Sequence, residues 1–407
     1  HGNLAHTLLL LGDYKKGWEE YEWRSTKKKN PSLPHSNPSC ARFDDVKLNI
    51  NNQLLLVSEQ GLGDTLQFMR YALELKRQGI AVSLCAEPKL HSLIQASGIA
   101  SSPLTPEQAN KIKDGNWLPL LSVPRHLEVS PEKPIITEPY IKTTDTLLKK
   151  WGSILSTEQR PIIGINWQGN PKIEKKSFKG RSLSLEAFNP IAANDNASLI
   201  SLQKGFGSEQ LDTCSFKDQF VSCQDQVNDT WDFLETAAII ANCDLVITSD
   251  TSVAHLAGGM GKTTWLLLKK IPDWRWGLEG DTTFWYPSIR LFRQKEQGNW
   301  DEVITRVAKE LKKLFGGSSA KLQVAHEPPN QDKIHNISAP ISLGELIDKI
   351  TILQIKTQHL QGAALENVKT ELDALEASLN NLTLKIDPSL IQQLKKINQN
   401  LWQIEDA

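Results

Sequence analysis

The stretch from Asp244 to Leu268, DLVITSDTSVAHLAGGMGKTTWLLL, constrains the fold of this chain more than any other. Asp244 to Thr248 is apolar, β-branched and too short for a helix, so it reads as a buried strand. Ser249, Asp250, Thr251 and Ser252 follow at once, and such small polar residues suit a strand-to-helix turn with an N-cap. Val253, Leu256 and Ala257 keep helical spacing, Gly258 and Gly259 read as the stop, and Thr264 to Leu268 as a second strand. A turn of this kind leaves unpaired backbone N–H groups and the positive helix end facing one spot, which suits an anion. His255 stands four residues after Thr251 and shares its face of the helix. An α/β fold with a parallel sheet follows.

The run Gly258 to Thr264, GGMGKTT, looks like a phosphate-gripping P-loop but lacks its context. The pattern requires a glycine where Leu256 stands, and it requires a strand before the loop and a helix after it. Here the order is reversed.

Composition excludes several classes. A formal net charge of −1 argues against bulk electrostatic binding to nucleic acid. Five cysteines without CxxC spacing suggest a reducing compartment and no structural zinc. No apolar run reaches the ~18 residues that a membrane span needs. The chain is expected to be cytoplasmic, or peripheral at the inner membrane. It begins at His1 inside a helical pattern, and so reads as part of a longer protein.

In order along the chain, residues 1–30 carry two helix-spaced segments around Gly12-Asp13 and resemble the end of a tetratricopeptide repeat, with Gly17 and Tyr21 at close-packing sites. One repeat cannot bury its own face, so further repeats are expected before His1; a lone hairpin that caps the next domain is the alternative. Residues 31–50, with Pro31, Pro34 and Pro38, read as linker. A first Rossmann-like domain is placed at 51–150. Its strand Gln53 to Ser58 leads through Gln60, Gly61 and Gly63 to Asp64, at the start of a helix that runs to Gln78. A second such domain is placed at 158–315. Its first strand ends in Trp167, Gly169 and Asn170, and a basic stretch from Lys172 to Arg181 and a strand ending near Lys204 follow. Aromatic residues crowd the segment after Leu268, including Asp273-Trp274-Arg275-Trp276. Residues 316–340 read as linker, and 341–407 as helical, with an apolar stripe at Leu365, Val368, Leu372, Leu375, Leu379 and Leu382 that continues from Leu390 to Ile404.

EQGLGDTLQFMRYA, GINWQGNP, RSLSLEAF, SLQKG, DLVITSDTSVAHLAGGMGK and PDWRW, in that order, resemble the glycosyltransferases found behind tetratricopeptide repeats. These are related to the heptosyltransferases of glycosyltransferase family 9 and more distantly to O-linked N-acetylglucosamine transferase. The resemblance covers about residues 1 to 312, and the tail ISLGELIDKITIL resembles a helical domain of unknown function. It implies a GT-B fold of two Rossmann-type domains and inverting transfer from an ADP- or UDP-linked sugar, with no cofactor and no metal ion. Asp64 then matches the base. Asp250, Thr251, Ser252 and His255 match the donor site, with Arg181 or Lys204 neutralising the diphosphate and Trp167, Gly169 and Asn170 bordering the cleft. Gln60, Gly61, Gly63, Asp273 and Trp274 fall on the acceptor side. The expected acceptor is a glycan, a lipid-linked glycan or a protein, and protein partners would use the repeats and the helical tail. The competing expectation is a non-catalytic scaffold with an inactive core.

Overall fold

The computed structural model describes residues 2–26, 32–43, 53–174, 179–193, 197–315, 343–359 and 363–380, together with 391–392, 394–396 and 398–399. The expected linker at 316–340 and the positions Leu382, Leu390, Ile397, Leu401 and Ile404 lie outside them, as do residues 175–178 of the basic stretch. Two compact units divide the chain at Ala320.

The first unit holds two parallel sheets. One has four strands in the order β1 (Ala41–Arg42), β4 (Asn116–Pro119), β2 (Leu54–Val57), β3 (Val82–Cys85). The other has five, in the order β6 (Ser198–Ser201), β5 (Ile162–Asn166), β7 (Leu245–Ser249), β8 (Thr264–Leu268), β9 (Ile289–Arg293). Every pairing between these strands is parallel. β2, β5, β7 and β8 are buried along their whole length, as expected of parallel strands covered on both faces, and this is why each reads as an apolar run without alternation. The chain passes from β2 to β3 on one side and then to β4 on the other, and likewise from β5 to β6 and then to β7. Each sheet therefore has a switch point, after β2 and β4 in the first and after β5 and β7 in the second. Open α/β sheets bind ligands at such points.

Three sequence expectations change in detail. Residues 32–43 do more than link, because Ala41–Arg42 pairs with β4 and Pro34 forms a bridge with Glu59. The helix expected to run to Gln78 is two, α3 (Leu62–Phe68) and α4 (Arg70–Arg77). Gly258 and Gly259 do not stop the helix Ser252–Gly259 but belong to its last turn. A Cβ at Gly258 would stand 2.7 Å from the Tyr286 ring, and one at Gly259 would stand 2.5 Å from Ile141. These glycines answer to close packing, and Gly261, at φ +71, makes the turn. β8 follows that turn directly, which is the wrong order for a P-loop.

The hairpin of α1 (Gly2–Leu10) and α2 (Tyr14–Tyr21) buries Ala5, Leu9, Tyr14, Trp18 and Tyr21 on the core and leaves Leu4 and Leu11 exposed. Trp18 donates its indole N–H to the Val129 carbonyl at 2.8 Å and meets Trp274 edge-on, with centroids 5.4 Å apart. Arg24 follows, buried, and grips the buried Glu59 through two hydrogen bonds of 2.9 and 2.6 Å. The two sheets are tied by Arg70 of α4. Its guanidinium is fully buried and donates to Ile136 O at 3.0 Å, Trp285 O at 2.7 Å and the Tyr140 hydroxyl at 3.2 Å.

In the second unit, the helices Leu343–His359 and Ala363–Asn380 pack on one another. Leu346, Ile347, Ile350, Leu353 and Ile355 are buried, whereas the stripe from Leu365 to Leu379 is only half-buried.

Candidate active site

The first turn leaves β2 through Ser58 and Glu59. Gln60 takes a left-handed backbone, φ +63, which is costly for a residue with a side chain. It is held by its own neighbours: the Gln60 amide donates to the Tyr21 hydroxyl at 2.9 Å, and His35 Nε2 lies 3.2 Å from the Gln60 carbonyl. Gly61 then caps α3, and Asp64 in its first turn accepts the Gly61 N–H through Oδ2 at 2.9 Å. Asp64 therefore does cap the helix, and only one of its oxygens is used for this.

The second turn leaves β7. Thr251 caps the helix by accepting the Val253 N–H at 3.3 Å, and its hydroxyl donates to Asn166 Oδ1 at 2.8 Å. Asn166 in turn donates to Gln203 Oε1 at 2.8 Å, and that same oxygen accepts the Trp167 and Gln168 N–H groups at 3.3 and 3.0 Å. Asn166 and Gln203 are both buried. They lash the ends of β5, β6 and β7 together, so the polar turn is a rigid element. Arg181 reaches the turn and donates to the Asp250 carbonyl at 2.9 Å. Gly169 leaves room for this contact, since a Cβ there would overlap the guanidinium and displace it.

The two turns meet. Gly63 of α3 lies against the start of the helix Ser252–Gly259, and an added Cβ would stand 2.9 Å from His255 Cδ2 and 3.4 Å from Ser252 Cα. Arg275 closes the junction. Its guanidinium donates to Asp64 Oδ1, to Gln67 Oε1 at 2.6 Å and to Asp273 Oδ1 at 2.8 Å, and it lies over the Trp274 ring at 4.5 Å. Three carboxylates, Asp64, Asp273 and Asp250, thus cluster with two arginines, Arg275 and Arg181.

Burial and charge set the ionisation of this cluster. Burial pushes the Asp64 carboxyl up, and Arg275 and the Gly61 N–H oppose the rise. Burial and the nearby Asp273 push Asp250 up to about 6, against Arg181. His255 goes the other way. Burial first, then Arg275, Arg70 and Arg181, hold it well below the usual imidazole range, so it is neutral at pH 7.

The structure separates the sequence-predicted residues into groups. Asp64, Gln60, Gly61, Gly63, Asp250, Thr251, Ser252, Arg181, Gly169 and Asp273 lie at or beside the junction. His255 is there too, but as packing: its ring stacks on Trp276 at 5.5 Å and its Nδ1 is 2.9 Å from the Tyr286 hydroxyl. Trp167 is not a cleft residue. It is fully buried in the second sheet's core, because side chains alternate across a strand and Asn166 takes the face toward the turn. Trp274 is buried under Trp18 and Tyr21. Asn170 is exposed and caps the short turn that follows it. Lys204 donates to the Val227 carbonyl. Burial lowers it to about 8, with Asp229 and Glu235 nearby. Those two acids line, with Lys150, Trp151, Trp231 and Asp232, a hollow of about 280 Å³. Of the two basic candidates for the donor turn, Arg181 is the one that contacts it.

Sequence reasoning gave Arg275, Gln67, Gln203 and Tyr21 no role at this site. Arg275 sits inside PDWRW directly after Asp273 and Trp274, which were singled out, and its role depends on α3, far away in the chain.

No protein-family model matches the chain. Among curated proteins it is 24% identical over 345 residues to Protein FlbA of Caulobacter vibrioides, a match that covers 76% of this chain and 54% of that protein. The chain thus spans about half the length of the curated relative it matches. Among solved structures it is similar to a glycosyl transferase of family 9 from Veillonella parvula, at 9% identity and a TM-score of 0.45, covering 67% of this chain and 99% of that one. It is also similar to the E. coli ADP-heptose LPS heptosyltransferase II, at 11% identity and a TM-score of 0.41, covering 65% of this chain and 98% of that one.

Proposed function

We propose that the chain is a glycosyltransferase that moves a sugar from an ADP- or UDP-linked donor to a hydroxyl of a glycan, a lipid-linked glycan or a protein, without a metal ion and with inversion. The observation that carries this reading is the apposition of the Asp64 turn of one sheet with the Asp250–Ser252 turn of the other, at the Gly63–His255 contact. Inverting transfer needs a base on one side of the anomeric carbon and cationic or N–H stabilisation of the leaving diphosphate on the other. Asp64 is the base: it takes the proton of the acceptor hydroxyl as the oxygen attacks. The N–H groups at the start of the helix Ser252–Gly259, with Arg181 beside them, receive the charge that builds on the departing nucleoside diphosphate. Lys204 and Trp167 have no part in this reading.

Asp64→Asn tests it. Asparagine keeps an acceptor for the Gly61 N–H but takes one of two carboxylates from the buried Arg275, so a stability loss of about 1–3 kcal/mol is expected, and turnover is compared where the variant is fully folded. Turnover, read as nucleotide release from a panel of ADP- and UDP-sugars, should fall roughly a hundredfold or more, with donor affinity by calorimetry near wild type. A variant that keeps most of its transfer rate would remove Asp64 from the reaction.

A further inference from the structure

We propose that Arg275 is the positioning residue for Asp64: from the half of the molecule that carries the Asp250 turn, it grips the one carboxylate oxygen that the helix cap leaves free. The inference rests on the reading of Asp64 as the base. The geometry behind it is a fork that spans two sheets. Asp64 and Gln67 stand one turn apart on α3, and Arg275 takes both, Nη2 to the Asp64 carboxylate and Nε to Gln67 Oε1 at 2.6 Å. Nη1 holds Asp273 at 2.8 Å, on the turn that follows β8. A planar guanidinium with donors on both edges suits such a grip, and an ammonium does not. The plane is fixed in turn by Trp274 beneath it at 4.5 Å and by Phe68 at 5.6 Å. With Gly61 N–H on Oδ2 and Arg275 on Oδ1, Asp64 has no freedom to rotate. Each oxygen keeps a lone pair for an incoming hydroxyl.

Two consequences follow. The base is built only when the two halves are apposed, because its second anchor belongs to the other sheet. Arg275 also offsets the burial of Asp64. The other ionisable groups near Asp64 include Asp273, Glu59 with Arg24 paired to it, and Tyr21, with Asp250, Arg181 and His255 at the facing turn. His255 is neutral, Asp273 and Glu59 oppose ionisation, and Arg275, in direct contact with the carboxylate, is the cation that most favours it.

The test reads Asp64 directly, by ¹³C NMR titration of protein labelled at the aspartate γ-carbon, with Asp64→Asn assigning the resonance. In Arg275→Gln the Asp64 midpoint should rise by about one pH unit or more, and in Arg275→Lys by less. Arg77→Gln, which breaks the exposed pair with Glu138, should leave it in place. In Asp273→Asn the midpoint should fall, because a neighbouring negative charge is lost, and Arg275→Lys decides the matter should Arg275→Gln fail to fold. An Asp64 midpoint unmoved in folded Arg275→Gln, or unmoved in Arg275→Lys where only that variant folds, overturns the proposal. The titration needs no substrate, so it stands apart from whether Asp64 is the base. That is read from the acid limb of the turnover–pH profile, which should shift with the midpoint.

Discussion

Gly63→Ala puts one methyl group between the two turns that build the site. The structure gives the overlap: the new Cβ would stand 2.9 Å from His255 Cδ2, where carbon atoms normally rest at about 3.5–4 Å. The ring is held in place, because Trp276 stacks on it and Tyr286 holds its Nδ1 at 2.9 Å. Overpacking of this kind costs about 1–3 kcal/mol. Alanine gives back up to about 1 kcal/mol of helix propensity. With the full gain, a net loss of up to about 2 kcal/mol is expected from these two effects. The cause can be isolated with His255→Ala, which removes the obstructing ring and leaves Ser252 Cα, at 3.4 Å, as the nearest remaining neighbour. In a double-mutant cycle read by urea unfolding, where the propensity term cancels, Gly63→Ala/His255→Ala should be more stable than the sum of the single effects by about 1–3 kcal/mol, above the ~0.5 kcal/mol scatter of independent sites. Turnover in Gly63→Ala should fall about tenfold, because displacing a base from its target by a fraction of an ångström is costly to geometry-dependent catalysis. An additive cycle would refute the reasoning, since the contact would then carry no strain.

The remaining predictions concern charge. Asp250 has a folded pKa of about 6, above its unfolded value of about 4, so the folded state binds the proton more tightly and stability falls as pH rises from 4 to 6. Asp250→Asn should therefore unfold roughly 2 kcal/mol harder than wild type at pH 7 and no differently at pH 4, while donor affinity by calorimetry drops. A flat difference across that range would show that Asp250 titrates normally. Arg24→Ala strands the Glu59 carboxylate, which is 1% exposed, and should cost about 3–5 kcal/mol in chemical denaturation, against under about 1 kcal/mol for Lys133→Ala in its exposed pair with Glu128.

The sequence alone determined the parts whose physics is local. Asp244 to Leu268 predicted strand, turn, helix and strand, and β7, the helix Ser252–Gly259 and β8 fall there, because apolar runs and polar caps act over a few residues. Gly61, Gly63 and Asp64 were legible as a turn and a helix start for the same reason. Only the tertiary structure decided which side chains meet. Trp167 looked like a wall of the cleft and is core, since a strand end does not say which face is covered. Lys204 and Arg181 were equal candidates on charge, yet Lys204 is tethered to Val227 and Arg181 to Asp250. Arg275 was one residue of a quoted motif until α3, more than two hundred positions earlier, supplied Asp64 and Gln67 as its partners. The hairpin carries helical spacing whether it stacks on another repeat or on a sheet; Trp18 against Trp274, and Arg24 in Glu59, settle its place on the core. Periodicity encodes which face of an element is apolar, and the identity of the surface that covers it exists only once distant segments are brought together.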